Sequence, residues 1–241
     1  MQHNILHLLA LGLITFLGTA GFTQAQESIV SVDFTALSPA ARLNEVYYVS
    51  EGKLQKFNIP SRKRSHLQHY VGPPTLTFFQ IANGDLANPK ARTLVGRIQL
   101  DPTMDFPLLV FLPPVEDDAM GILAMEDSYK EFGGQSMRFL NFTDSPMGIF
   151  LGEEADERIL LAPHGYDNFT FPKGSPNLRT RIAIAEEGRA EKSLDTRLFS
   201  NEVMRSIYVI ERIRKDSYAV RLHCITDTVD SAAKWQDKPD I

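Results

Sequence analysis

Carboxylates are the commonest side chains in this chain that can do acid-base chemistry, and they come in short groups: Glu116-Asp117-Asp118, Glu153-Glu154 and Asp156-Glu157. A glycoside hydrolase needs two carboxyl groups on either side of the scissile bond, one as acid and one as base or nucleophile. Glu116, Asp117, Glu153 and Asp156 are the candidates for those roles. The first two groups adjoin Pro113-Pro114 and Gly152, and charged residues beside such breakers are also what solvated turns contain. A calcium loop would alternate oxygen ligands ahead of a glycine, and no D-x-D-x-D-G run occurs.

Histidine and cysteine add little. His66 and His69 form an H-x-x-H pair, which would share one face of a helix. The local pattern is extended, however, so an offset of three sends them to opposite faces. His164, in A-P-H-G-Y, falls in a turn. Cys224 is the sole cysteine, so no internal disulfide forms. Its place in the alternating run YAVRLHCIT predicts a buried structural thiol, with His223 on the opposite face. There is no G-x-S-x-G, phosphate loop or dinucleotide fingerprint. No catalytic, cofactor-binding or metal residue is assigned, and no cofactor is expected.

The formal charge of −5 and pI near 5.7 argue against a nucleic-acid partner, which leaves a basic footprint. One basic cluster stands out, Ser61-Arg62-Lys63-Arg64-Ser65, which reads as a solvated loop or a contact for an anionic surface. Residues 1–25 differ in kind: Ile5 to Phe22 holds no Asp, Glu, Lys or Arg, and Thr23-Gln24-Ala25 offers small residues around a cleavage point. That is the layout of a secretory signal peptide cleaved near Ala25, the rival being a retained anchor. The expected location is the periplasm or cell surface, with no membrane span after cleavage.

The elements that must position these residues are strands. Val46 to Ile59 is a hairpin around Glu51-Gly52, and Leu108 to Leu112 is an apolar run short enough for a strand buried on both faces. At mid-chain, Met137 to Leu151 reads as two strands joined by a tight turn at Asp144-Ser145-Pro146. Asp127 to Ser136 reads as a polar, flexible boundary. Beyond it the order of phrases repeats: NFTDSP answers DFTALSP, GIFLGEE answers YYVSEG, RILLAP answers KFNIP, FTF answers LTF, and RIAI answers RIQL. SIYVI and YAVRL then answer LLVFL and GILAM. Glu186 to Arg205 holds helix-forming residues interrupted by Gly188, enough for a turn or two. The expected fold is all-β: two tandem immunoglobulin-like β-sandwiches of some seven strands each, at 26–130 and 131–228, with a polar tail at 229–241 that holds Trp235. The alternative is one large sandwich or barrel.

The phrases V-Y-Y-V-S-E-G-K-L, G-P-P-T-L-T-F-F and R-F-L-N-F-T-D-S-P together resemble a group of small secreted bacterial β-rich proteins with no assigned activity. The resemblance implies export and a β fold, and it supplies no catalytic residue. The functional expectation is a non-enzymatic binding or assembly module whose partner is a protein or polysaccharide of the envelope. Tyr47, Tyr48, Tyr166 and Phe169 are its candidate aromatic contacts. The alternative is a carbohydrate hydrolase using the loop carboxylates, and a third route is β-strand addition at an exposed edge. Asn141-Phe142-Thr143 and Asn168-Phe169-Thr170 also fit the N-glycosylation pattern.

Overall fold

The structure is a computed structural model and describes residues 29–86, 88–114, 119–172, 177–186, 189–214 and 216–228. The candidate leader, Glu116, Asp117 and Trp235 lie outside the described residues. Eight strands come from the first part: β1 (Val30–Leu37), β2 (Leu43–Ser50), β3 (Lys53–Ile59), β4 (Gln68–Gly72), β5 (Thr75–Ile81), β6 (Arg92–Gln99), β7 (Pro107–Phe111) and β8 (Ile122–Glu126). Eight more follow: β9 (Ser136–Asn141), β10 (Met147–Leu151), β11 (Glu157–Leu161), β12 (Tyr166–Thr170), β13 (Asn177–Glu186), β14 (Arg189–Phe199), β15 (Met204–Arg212) and β16 (Val220–Thr228). The only helices among the described residues are two single 3-10 turns between β5 and β6, and none is long and apolar enough to cross a membrane.

Four sheets result, in the orders β3-β2-β5-β6, β4-β1-β7-β8, β12-β9-β15-β16 and β11-β10-β13-β14. Adding eight to each label of the first pair of sheets gives the second pair. The unusual parallel pairings match as well, β1 with β7 and β9 with β15. The chain is thus two tandem immunoglobulin-like sandwiches with one topology, and no strand of β1–β8 pairs with a strand of β9–β16 among the described residues.

Five of the seven sequence echoes fall on topologically equivalent strands, and two do not. FTF lies at β12, whose counterpart is β4 rather than β5, and RIAI lies on β13, whose counterpart is β5 rather than β6. The slip has one cause. Glu186 to Arg205, expected to hold a helical turn, contains the eleven-residue strand β14. As an edge strand exposed along most of its length, β14 needs no apolar alternation, so its helix-forming composition hid it.

The mid-chain stretch also differs from expectation. β9 and β10 are not a hairpin: they belong to different sheets, joined by an arch that crosses from one layer to the other. Asn141 shapes that arch. Its amide donates to the carbonyls of Ser145 (2.8 Å) and Ala162 (2.9 Å), and its Oδ1 accepts from the N–H (3.0 Å) and hydroxyl (2.8 Å) of Thr143. With its side chain buried and fully used, Asn141 is no glycan acceptor in the folded chain. The Val46–Ile59 hairpin is as expected, with Glu51 and Gly52 at φ 50° and 72° in the turn.

Each sandwich has its own core. In the first, Phe34, Tyr48, Phe57, Phe78 and Phe111 meet largely edge to face, with centroids 5.2–6.1 Å apart. In the second, Met137, Phe139, Ile149, Ile182, Tyr208 and Ile210 fill the equivalent space. A third cluster lies between the sandwiches, where Leu37, Leu108, Val110 and Met125 pack with Phe132, Leu140, Ile207, Val209 and Ile225. Alternation along a strand accounts for this: on β7, Leu109 and Phe111 face the first core while Leu108 and Val110 face the third. On β15, Tyr208 and Ile210 face the second core while Ile207 and Val209 face the third. The inner sheets therefore stack on each other, giving four layers. At about 1.5–3 kcal/mol per fully buried side chain, the nine buried residues of this cluster make apolar burial the main source of association.

Candidate functional site

The most distinctive chemistry is a charged cluster beside that third core. Arg64, from the β3–β4 connection, places Nε 3.0 Å from Asp127 Oδ2 and Nη2 2.9 Å from Oδ1, a two-pronged pair, and also binds Asp227. Arg205 donates to the carbonyls of Asp127 (2.7 Å) and Phe132 (3.1 Å) and reaches Asp127 Oδ2 at 3.4 Å and Asp227 Oδ2 at 3.6 Å. Arg138 donates to Asn168 Oδ1 (2.7 Å) and the Glu126 carbonyl (2.6 Å), with Asp127 Oδ1 at 3.5 Å. The guanidiniums of Arg138 and Arg205 lie 4.3 and 5.3 Å from the Phe132 ring centroid. Asp127 is fully buried, and Arg138 and Arg205 are each 1% exposed.

These charges perturb one another in ways that follow from burial. Burial pushes the Asp227 carboxyl above its ordinary value despite Arg64 and Arg205. Burial likewise pulls Arg138 and Arg205 down, with Asp127 opposing. For Arg64 burial also acts downward, but Asp127 and Asp227 together outweigh it and leave the group raised. Three guanidiniums face two carboxylates, contributed by both sandwiches and the segment joining them. Every strong donor is turned inward, so the cluster acts as an internal lock that fixes how the inner sheets meet.

The sequence reading missed this lock. The basic stretch Ser61–Ser65 was expected to be solvated, yet Arg64 is buried because Asp127 and Asp227 make a paired charge tolerable there. Asp127 to Ser136, expected to be a polar flexible boundary, buries Asp127 and Phe132 completely. Asp227 is on β16, the last strand of the second sandwich. A signal was available: Arg138 shares strand parity with Leu140, and Arg205 with Ile207 and Val209, so each arginine stands on an apolar face. A basic residue at that parity requires a buried acid.

A cleft of about 600 Å³ opens at the sandwich boundary, lined by Arg62, Ser145, Glu186, Glu211, Arg212 and Arg221 among others. Arg212 binds Glu186 and donates to Ser145 Oγ (2.8 Å), and Ser145 donates to Glu186 Oε1 (2.6 Å). The Ser145 hydroxyl and then Arg212 hold the Glu186 carboxyl below the usual range. Glu211 accepts from Arg221 Nε (3.1 Å) and lies 3.0 Å from His223 Nε2.

The other sequence candidates scatter. Glu153 and Asp156 sit exposed on the β10–β11 turn, with Glu153 paired to Arg179 and Arg197 of the adjoining strands. His69 Nδ1 lies 2.6 Å from Asp33 Oδ1, His66 is exposed, and His164 Nε2 lies 3.2 Å from Asp144 Oδ1. No group of three metal-ligating side chains occurs among the described residues.

Cys224, expected to be buried, is exposed: it shares the parity of Val220 and Leu222, which pack on the second core, but lies farther along edge strand β16; its Sγ lies 3.1 Å from Thr226 Oγ1. The candidate aromatic contacts are mostly covered. Tyr48 is 2% exposed within the first core, and Tyr47 is 7% exposed, stacked on Phe79 beneath Lys56. Tyr166 and Phe169 are half-buried against the third and second cores.

No protein-family model and no curated protein matches the chain. Among solved structures it is similar to the paired C2 domains of extended synaptotagmin 2, at 8% identity over 95% of this chain and 97% of that one, with a TM-score of 0.24. At that score the likeness carries no argument about fold or ligand.

Proposed function

We propose that this chain is an exported, non-enzymatic binding or assembly module that engages a protein or polysaccharide of the cell envelope as a rigid double sandwich. One observation supports this over hydrolysis: the two carboxylates sharing the boundary cleft are already engaged. A glycosidase needs a carboxyl kept protonated as general acid. Glu186 is instead held on the ionised side by Ser145 and Arg212, and Glu211 is tied to Arg221 and His223. Glu153 and Asp156 splay outward on a tight turn instead of facing a partner across a groove. Export rests on the charge-free run from Ile5 to Phe22 and the small residues before Gln26.

Three measurements test the reading. N-terminal sequencing of protein from the envelope or medium is expected to begin at Gln26, and intact Met1 in the cytoplasm overturns export. Affinity capture from the envelope fraction is expected to retain a defined protein or glycan. Release of reducing ends from a defined glycan, abolished by Glu186→Gln or Glu211→Gln, overturns the non-enzymatic assignment.

A further inference from the structure

The turn after β3 disposes of its cations in two ways. Arg64 is drawn into the lock, while Lys63 and His66 stay exposed. Together with Arg42, from the β1–β2 connection, they line an open concavity of about 780 Å³ whose floor includes Arg64 and whose walls include Asn58 and Leu67. No carboxylate lines it, although the chain carries more acidic than basic side chains. The side chains of Arg42, Lys63 and His66 have no hydrogen-bond or ion-pair partner among the described residues.

The lock beneath adds to this. Its three guanidiniums, Arg64 of the floor among them, against two carboxylates leave one net positive charge at and beneath the floor. Charges behind low-dielectric walls focus their field into the concavity they border.

We propose that this concavity binds an anionic polysaccharide, one bearing carboxylate or sulfate groups along its length. The ligand class follows from four features. The cations come from two separate segments rather than a single cradle, which suits charges spaced along a polymer over one compact anion. The size falls within the roughly 300–1,000 Å³ of ligand sites. No Phe, Tyr or Trp lines it, so the stacking platforms that single-stranded nucleic acids depend on are missing. Asn58 uses its Oδ1 to accept the Glu45 N–H (2.9 Å), which leaves its amide hydrogens to donate to sugar oxygens. The inference rests on the binding reading above for the existence of an external partner, and it adds the ligand class and the residues.

The test measures binding of the full mature chain to alginate, dextran sulfate and plain dextran of matched length. Both polyanions are expected to bind, more weakly as salt rises, and plain dextran is not. The double variant Arg42→Ala with Lys63→Ala is expected to lose about tenfold in affinity, given two exposed charge contacts removed. Lys90→Ala with Arg189→Ala removes the same charge elsewhere and is expected to bind as the parent does. Equal binding of plain dextran, or full affinity in the Arg42/Lys63 variant, overturns the site. Binding of polyglutamate with the same variant sensitivity but of neither polyanion overturns the ligand class. Failure of all these probes while envelope capture succeeds overturns this inference and leaves the broader binding reading standing.

Discussion

Asp127→Asn tests the lock at its centre. In the parent chain Asp127 and Asp227 face Arg64, Arg138 and Arg205, a balance of two against three. The substitution keeps the shape and leaves one carboxylate against three guanidiniums in a site where Asp127 is fully buried. Breaking a buried ion pair from one side costs about 3–5 kcal/mol, because the surviving charge cannot return to water. For a chain of this size that is a fall of roughly 6–20 °C in unfolding midpoint. Arg64→Met, by contrast, keeps much of the aliphatic stem and leaves two against two, so its cost is expected to be smaller by at least about 1 kcal/mol. The assay is urea unfolding of both variants and the parent, followed by far-UV circular dichroism at neutral pH. An Asp127→Asn loss below about 1 kcal/mol, or an equal loss in Arg64→Met, would refute charge imbalance as the physical basis of the lock.

Three further outcomes are expected. Burial pushes Tyr48 up to about 12 from 10.0, so the neutral phenol is favoured in the folded state. The corresponding stability is complete below pH 10 and is lost as pH rises toward 12, at about 1.4 kcal/mol per pH unit; Tyr48→Phe should flatten the fall of midpoint with pH, and an unchanged slope counts against it. At Gly96, where β6 bridges to Met120, an added Cβ would lie 2.8 Å from the Met120 carbonyl oxygen. Gly96→Ala is therefore expected to cost about 1–3 kcal/mol in the same urea titration, and a neutral result would show that the backbone yields freely there. The exposed Cys224 should react with a thiol reagent in the native protein at one equivalent, whereas reaction only after denaturation would return it to the interior.

Most of the fold was legible because most strands are half-buried and must alternate. The hairpin at Glu51-Gly52 is visible for that reason, whereas β7 is visible for the opposite one: its unbroken apolar run implies that a second layer covers its outer face. β14 was hidden because an exposed edge strand is free of the core constraint, and composition then misleads. The arch between β9 and β10 resembled a hairpin because Asp144-Ser145-Pro146 turns the chain either way. In the structure the buried amide of Asn141 braces the arch, and β10 pairs with β11 and β13 in the other sheet. The lock was least legible. Its members come from residues 64, 127, 138, 205 and 227; strand parity marks Arg138 and Arg205 as needing a buried acid, but nothing local identifies that acid as Asp127 or adds Arg64 to it.

The central claim is that the sandwiches share an apolar and charged interface firm enough to make them unfold as one body. The direct measurement is a urea titration of methyl-labelled methionine in the parent chain, with Met120, packed on the first core, reporting on the first sandwich and Met147 on the second. Coincident midpoints and slopes for the two methyls are predicted. Separate transitions, with one sandwich intact after the other has melted, would contradict the account.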